Sequence, residues 1–313
     1  MEWGYLLILS NSVLTCVMTA IRKEYQRKVD ATLKSTLTFM FISSLFICLL
    51  GVAYACMTGF ALIRQADGLV MGLAAIFAFI LTINTCLCIF GAKYGSLAII
   101  TTFATLGTLV ISTVYGVIAD PLKNQLNGFN IAGLCLALCI VGLSFTTKNH
   151  DEGQTKTNSK KGATIFIFLC LAIFLFNGSA LSVYSIFTAN RAKYNGLNFI
   201  FLYLFFCVVI CGILLGVLFV LDKKQGKRFG VKECLSGKPL VCSLLYGTMF
   251  FGAEFCALTT TSLLPIVIQA PLSFAMNVVI VASVDRLIYK QSLSKTQLLQ
   301  IALAMVCGVL FAL

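Results

Sequence analysis

Residues 196–221 read GLNFIFLYLFFCVVICGILLGVLFVL, 26 consecutive positions without a charge. A helix needs about 20 predominantly apolar residues to cross the hydrocarbon core of a bilayer, and this stretch exceeds that. It does not alternate polar with apolar positions, as a strand of a membrane barrel would. Inside lipid a segment must satisfy its own backbone hydrogen bonds, which leaves the α-helix. Stretches of this kind recur along the 313 residues, and we read ten of them: about 3–21, 35–59, 68–91, 96–119, 128–146, 163–187, 196–221, 239–260, 262–284 and 295–313. The expected fold is an all-α integral membrane protein with ten transmembrane helices.

Composition points the same way. Apolar residues make up 59% of the chain and charged residues 11%, against about 45–50% and about 25% in soluble domains. So few charges cannot cover so much apolar surface. That excludes a soluble enzyme, a disordered chain and a secreted disulfide scaffold. The first apolar stretch has no basic n-region and is long enough to span, so it reads as a retained helix. Thirteen of the 14 Cys lie in or beside apolar stretches, where a thiol packs as a small apolar group. The pairs Cys135/Cys139 and Cys207/Cys211 share helix faces and leave a soft-metal alternative open. The one histidine, His150, sits in a polar stretch and excludes a His-based metal site. The reading carried forward has no metal and no cofactor.

The polar segment 148–162 reads as a cytoplasmic linker between two five-span halves, 1–147 and 163–313. At an offset of about 167 residues the halves align weakly, Ser12 with Ser179 and 131–138 with 298–305. Five is odd, so the second half must be inverted relative to the first. Charge tests this. The odd-numbered connections between spans hold 19 of the 23 Lys and Arg, and the even ones hold four: Arg64, Lys123, Arg191 and Lys193. Basic loops stay in the cytoplasm, which places the odd connections inside and both termini outside. Connection 1 is basic and its repeat counterpart, connection 6, is poor in charge, as inversion requires. The net charge of +12 is therefore a membrane-leaflet signature, and no nucleic-acid partner is expected.

Polar groups inside spans are the candidate site. Glu254 is the only carboxylate within a span. A charge near the bilayer centre costs about 2.5–3.5 kcal/mol, so Glu254 must face protein or a cavity. It is either a cation ligand or proton-coupling group, or a protonated acid bonded to a neighbouring helix. Pro265 and Pro271 interrupt span 9, and each frees backbone carbonyls. Beside them Gln269, Ser273 and Asn277 recur every fourth residue and share one face. Span 4 carries Thr101, Thr102, Thr105 and Thr108 around Gly107. Further polar interruptions are Asn11 and Ser12, Asn84 and Thr85, and Asn177 and Ser179. These line a cavity or glue helices together. Tyr184, Tyr203 and Tyr246 can stack on a solute or sit at interfaces, and Trp3 reads as an interfacial anchor. Arg22, Lys23, Lys93, Asp285 and Arg286 lie at span ends, where snorkelling is the default and a gate ion pair the alternative.

The junction Phe90-Gly91-Ala92-Lys93-Tyr94-Gly95-Ser96-Leu97-Ala98 resembles the span 3 to span 4 junction of the drug/metabolite transporter superfamily, in its ten-helix EamA-like branch. Cys256-Ala257-Leu258-Thr259-Thr260-Thr261-Ser262-Leu263-Leu264-Pro265 is similar to the same junction in the second repeat. The resemblance implies two inverted five-helix repeats around a central cavity lined by spans 1–4 and 6–9, with spans 5 and 10 peripheral. It also implies transport by alternating access. The family's usual Pro in span 4 is replaced here by Gly107 nearby, and its Gly-Glu pair after that span by Asp120-Pro121.

Residues and resemblance together lead us to expect a secondary active transporter of a small polar or amphipathic metabolite. Glu254 would make it proton-coupled or cation-selective, and a bacterial plasma membrane would be its place. Its partners would be that metabolite, membrane lipid and protons. A channel or a non-transporting sensor is the alternative. An embedded lipid-modifying enzyme is disfavoured, because one acid within the spans and one histidine outside them make a poor catalytic set. No Gly-x-x-x-x-Gly-Lys-Ser/Thr loop is present, so ATP is not expected to drive it by that route.

Overall fold

The computed structural model describes residues 2–29, 32–58, 66–94, 97–122, 126–146, 160–190, 194–225, 234–287 and 295–312. Every regular element among them is a helix: α1 (Glu2–Lys28), α2 (Leu33–Met57), α3 (Gly68–Tyr94), α4 (Leu97–Ala119), α5 (Gly128–Thr146), α6 (Lys160–Asn190), α7 (Gly196–Lys224), α8 (Gly237–Leu263), α9 (Ile266–Leu287) and α10 (Lys295–Ala312). Six of these, α1, α2, α3, α6, α7 and α8, are long and apolar enough to cross a membrane. Shorter apolar windows lie in α4, α5 and α9, at Phe103–Ala119, Gly128–Ile140 and Ile266–Asn277.

Helix ends follow local chemistry. Thr32 and Ser35 form a reciprocal capping box that starts α2, which satisfies two amides that lack helical partners. Asp67 accepts from the Val70 amide at 2.8 Å and Asn127 from the Asn130 amide at 2.7 Å, starting α3 and α5. Asn195 starts α7 by accepting from the Leu197 amide.

Several boundaries differ from the sequence reading, α1 running on to Lys28 where its span was read to end at 21. α6 begins at Lys160, inside the stretch assigned to the linker, and 147–159 lie outside the described residues. Pro265 stands ahead of α9 instead of inside it. Leu264 is extended, as the residue before a proline prefers, and the Pro265 carbonyl accepts from the amides of Ile268 and Gln269, both at 3.0 Å. A proline fits a helix start, where no amide is needed from it. It therefore separates α8 from α9, and of these two prolines only Pro271 lies within a helix.

The packing partners are largely unchanged when each helix is exchanged for the one five places on. α1 packs on α8 and α9, as α6 packs on α3 and α4. The pair α2–α8 corresponds to α3–α7, and α4–α5 to α9–α10, while α2–α7, α4–α9 and α5–α10 map onto themselves. The contact of α6 with α8 departs from this pattern, being heavier than any between α1 and α3. It is the contact that holds Glu254.

One large core joins α1, α2, α3, α6, α7, α8 and α9. A smaller one, with Leu109, Ile140, Phe274 and Cys307 fully buried, ties α5 and α10 to α4 and α9 at the edge. Large apolar side chains such as Leu49, Val52, Ile118 and Ile213 face outward, as expected where the surrounding solvent is acyl chain.

Two seams bring backbones together. A Cβ on Gly107 would lie 2.0 Å from the Phe174 carbonyl oxygen, and one on Gly178 would lie 2.4 Å from that of Gly107. Only glycine lets α4 and α6 approach so closely. Gly247 does the same for α8 against α2, where a Cβ would meet the Ser43 carbonyl oxygen at 2.7 Å.

The two ends of the bundle differ. At one end Lys34, in the first turn of α2, pairs with Asp222, in the last turn of α7. Tyr25 near the end of α1 donates to the Ser35 carbonyl at 3.0 Å. Connections 1 and 7, both basic, thus share an end. At the opposite end the last turns of α4 and α6 meet the α8–α9 junction around a cavity of about 300 Å³.

Candidate functional site

Tyr246, Phe250 and Glu254 succeed one another at intervals of four and lie on one face of α8. This face turns toward the core, where Tyr246 is 3% exposed and Phe250 8% exposed. Glu254 is half-buried. The Tyr184 hydroxyl of α6 donates to its Oε2. The Tyr203 hydroxyl of α7 lies 3.4 Å from that of Tyr184. Both phenols are held by aromatic packing. Phe77 of α3 stacks on Tyr184 at 4.6 Å and meets Tyr203 edge-on at 4.6 Å. Phe199 lies edge-on to Tyr203 at 5.8 Å and stacks on Phe187 at 4.1 Å. The carboxylate thus receives a hydrogen bond from a phenol whose rotamer is fixed by neighbouring rings. It can bind a proton or a cation there.

Towards the Lys34–Asp222 end the stripe closes at Tyr246. Arg22 of α1 donates from Nη2 to the Tyr246 hydroxyl at 2.7 Å, with its guanidinium 5.4 Å from the ring centroid. Phe39 of α2 packs between Tyr25 and Tyr246, at 4.5 Å and 4.7 Å. Side chains from α1, α2 and α8 therefore fill this end.

Towards the other end the arrangement opens. Thr261 lies seven residues beyond Glu254 on α8, about 10 Å along the axis at 1.5 Å per residue. It lines the end cavity together with Tyr115, Asp120, Ser185, Asn190 and Ser262. Ser185, next to Tyr184 in sequence, links its wall to the Glu254 cluster. The aromatic rings around Glu254, Phe77, Phe187, Phe199 and Tyr203, are all fully buried, and the end cavity lies beyond them.

The other expected residues separate into groups. Gln269 is buried and donates from Nε2 to the Ala257 carbonyl at 3.1 Å, which joins α9 to α8 one turn from Glu254. Its Oε1 has no hydrogen-bond partner, nor has the buried Oγ of Ser12 on α1. Ser273 and Asn277 are half-buried farther along α9. Asn84, Asn177 and Thr108 form a separate network. Asn84 Nδ2 donates to Asn177 Oδ1 at 3.0 Å. Asn177 Nδ2 donates to the Ala104 carbonyl at 2.7 Å and to Thr108 Oγ1 at 2.8 Å. That network bridges α3, α6 and α4 beside the Gly107–Gly178 seam. Ser179 donates to the Leu175 carbonyl of its own helix at 2.8 Å. Asn11 and Thr105 are half-buried, and Thr85 is buried. The side chains of Lys93, Thr101, Thr102, Asp285 and Arg286 lie outside the described residues.

Sequence reasoning did not connect Arg22 to Tyr246 or name Phe77 and Asp120 as site neighbours. Arg22 had one available signal, its position six residues inside the end of α1. Among the described residues no three His, Cys, Asp or Glu side chains gather as a metal site.

No family model and no curated protein matches the chain. Solved structures do share its fold. One crystal structure superposes with a TM-score of 0.65 at 14% identity, covering 99% of this chain and 96% of that one. At that identity the likeness concerns the fold alone, and it extends over essentially the full length of both chains.

Proposed function

We propose that this chain is a secondary active transporter. It would move a small polar or amphipathic solute across a membrane by alternating access, through ten spans arranged as two inverted five-helix repeats. This is the arrangement of the EamA-like drug/metabolite transporters that its junction sequences resemble. Three features support the architecture: five helices in each half, packing that recurs on exchange of α1–α5 with α6–α10, and the 19-to-4 division of basic residues. On this reading the Lys34–Asp222 end is cytoplasmic and the end cavity opens outside.

The observation that carries the functional reading is the position of Glu254. It lies on a single helical stripe, Tyr246–Phe250–Glu254, that is filled by Arg22 and Phe39 at one end. From it α8 continues to the cavity at the other. A proton-coupled carrier needs a titratable centre that is reached from one side at a time, as alternating access around a fixed site provides, and here the two ends already differ. Tyr184 holds the carboxyl in place, so proton or cation binding at Glu254 changes what the α6–α8 contact must accommodate. Inversion supplies the second state, in which the filled end opens and the cavity closes.

Reconstitution in proteoliposomes tests this reading. A screen of amines, amino acids, nucleosides and sugars should yield a solute whose uptake responds to a pH gradient. Glu254→Gln should abolish that response while the variant remains folded and monodisperse. Unchanged uptake and pH dependence in Glu254→Gln would remove the assigned role of Glu254. Single-channel currents would replace the carrier by a channel.

A further inference from the structure

We propose that Arg22 receives an anionic group of the transported solute, a carboxylate or a phosphate, at the filled end of the path. The inference rests on the carrier reading above and adds to it a substrate class.

A guanidinium is always charged and carries five N–H donors. Arg22 is half-buried, donates to Tyr246 at 2.7 Å, and keeps a buried Nε without a hydrogen-bond partner. Its neighbours make the contrast. Arg27, farther along α1 and exposed, pairs with Glu24. Lys34, at the start of α2, pairs with Asp222. These are the two ion pairs among the described residues, and Arg22 is in neither. Arg22 is thus held by a phenol, with no acid paired to it among the described residues. A partly buried charge left without an acid is costly.

Snorkelling would carry the group outward to water. Arg22 instead turns inward, toward a tyrosine that is itself buried. The edge formed by Nε and Nη2 can grip carboxylates and phosphates bidentately; here Nη2 donates to Tyr246 and Nε has no partner in the protein. Tyr246 lies two turns before Glu254 on the same stripe, about 12 Å along the axis at 1.5 Å per residue. The two charges therefore act at successive points of one path. An anion passing Glu254 is repelled by the ionised carboxylate and tolerated by the protonated one. Anion and proton then move together.

Modification of guanidinium groups by 2,3-butanedione tests this on the unaltered protein in proteoliposomes, with Arg22 and Arg27 followed by peptide mass spectrometry. The probes are inorganic phosphate, propionate and propylammonium at matched ionic strength. Phosphate or propionate should slow modification of Arg22 by about tenfold once it reaches roughly ten times its dissociation constant, the factor 1 + [L]/Kd. Arg27 should be unaffected, and propylammonium should protect neither. The more protective anion identifies the headgroup. Equal rates at Arg22 in all conditions would overturn the proposal, as would parallel slowing at Arg27. An Arg22 that is never modified while Arg27 reacts would overturn it too. Proton movement driven by the same anions is read in the same vesicles as the excess over protein-free vesicles, because neutral propionic acid crosses lipid unaided. Protection without proton movement would fail the carrier reading, and proton movement without protection would fail the Arg22 assignment.

Discussion

Two polar clusters sit in the apolar interior, and they are built differently. In the first, Asn84, Asn177 and Thr108 join α3, α6 and α4 through neutral hydrogen bonds that end on the Ala104 carbonyl. It lies beside the glycine seam where α4 and α6 touch backbone to backbone. In the second, Glu254 of α8 is held by Tyr184 of α6, with Tyr203 of α7 close by and aromatic rings all around. The amide cluster contains no group that titrates in an ordinary pH range, and a glycine seam has no slack to slide. The acid cluster has a titratable group and a helix contact, α6–α8, that the other half does not match. On the proposed function, similar polar interruptions of a span do two jobs, one fixing helices and one responding to solute or proton.

Substitutions should separate those jobs. The largest effect belongs to the seam. Gly107→Val places carbon where the Phe174 carbonyl oxygen lies, and overpacking of this kind costs about 3 kcal/mol or more. The variant should fail to give a monodisperse particle in size-exclusion chromatography. Glu254→Gln should retain the wild-type melting temperature within a few degrees but lose proton-driven uptake by about 5–150-fold, the range of a typical coupling energy. Tyr184→Phe removes one hydrogen bond to a charged group, worth about 1.5–3 kcal/mol. It should slow uptake less than Glu254→Gln does, with folding intact. Asn177→Leu removes three interhelical hydrogen bonds, each worth about 0.6 kcal/mol in a membrane, and should lower the melting temperature by a few degrees while leaving uptake at wild-type levels. Uptake lost in Asn177→Leu but kept in Glu254→Gln would reverse the assignment of the two clusters.

The helices were legible in the sequence because uncharged runs of spanning length admit only one backbone solution in lipid. The orientation of each helix was not. In α7, Phe199, Tyr203, Cys207 and Cys211 are buried at intervals of four, yet Phe205, Val209 and Ile213 on the outer face are equally apolar. A soluble helix reveals its buried side by polarity, whereas a helix bathed in lipid does not. For this reason the partnership of Tyr184 and Tyr203 with Glu254 could not be read, although all three residues stood out. Glu254 itself was legible because an acid in a span is rare for energetic reasons. Pro265 was misplaced by one turn, since a proline at a helix start and a proline within a helix look alike when two apolar helices are joined by Leu264 and Pro265 alone.

The claim on which the rest depends is that the two ends of the bundle open in alternation. It is tested most directly by spin-label distances measured at both ends of the reconstituted protein. Lys28 with Lys224 reports the filled end, and Ala119 with Asn190 the cavity end, all at exposed positions on different halves. Two populations are predicted, one short at the first pair and long at the second, the other the reverse, with their ratio shifting between acidic and alkaline buffer. Distances fixed at both ends, or a population long at both ends at once, would contradict a carrier.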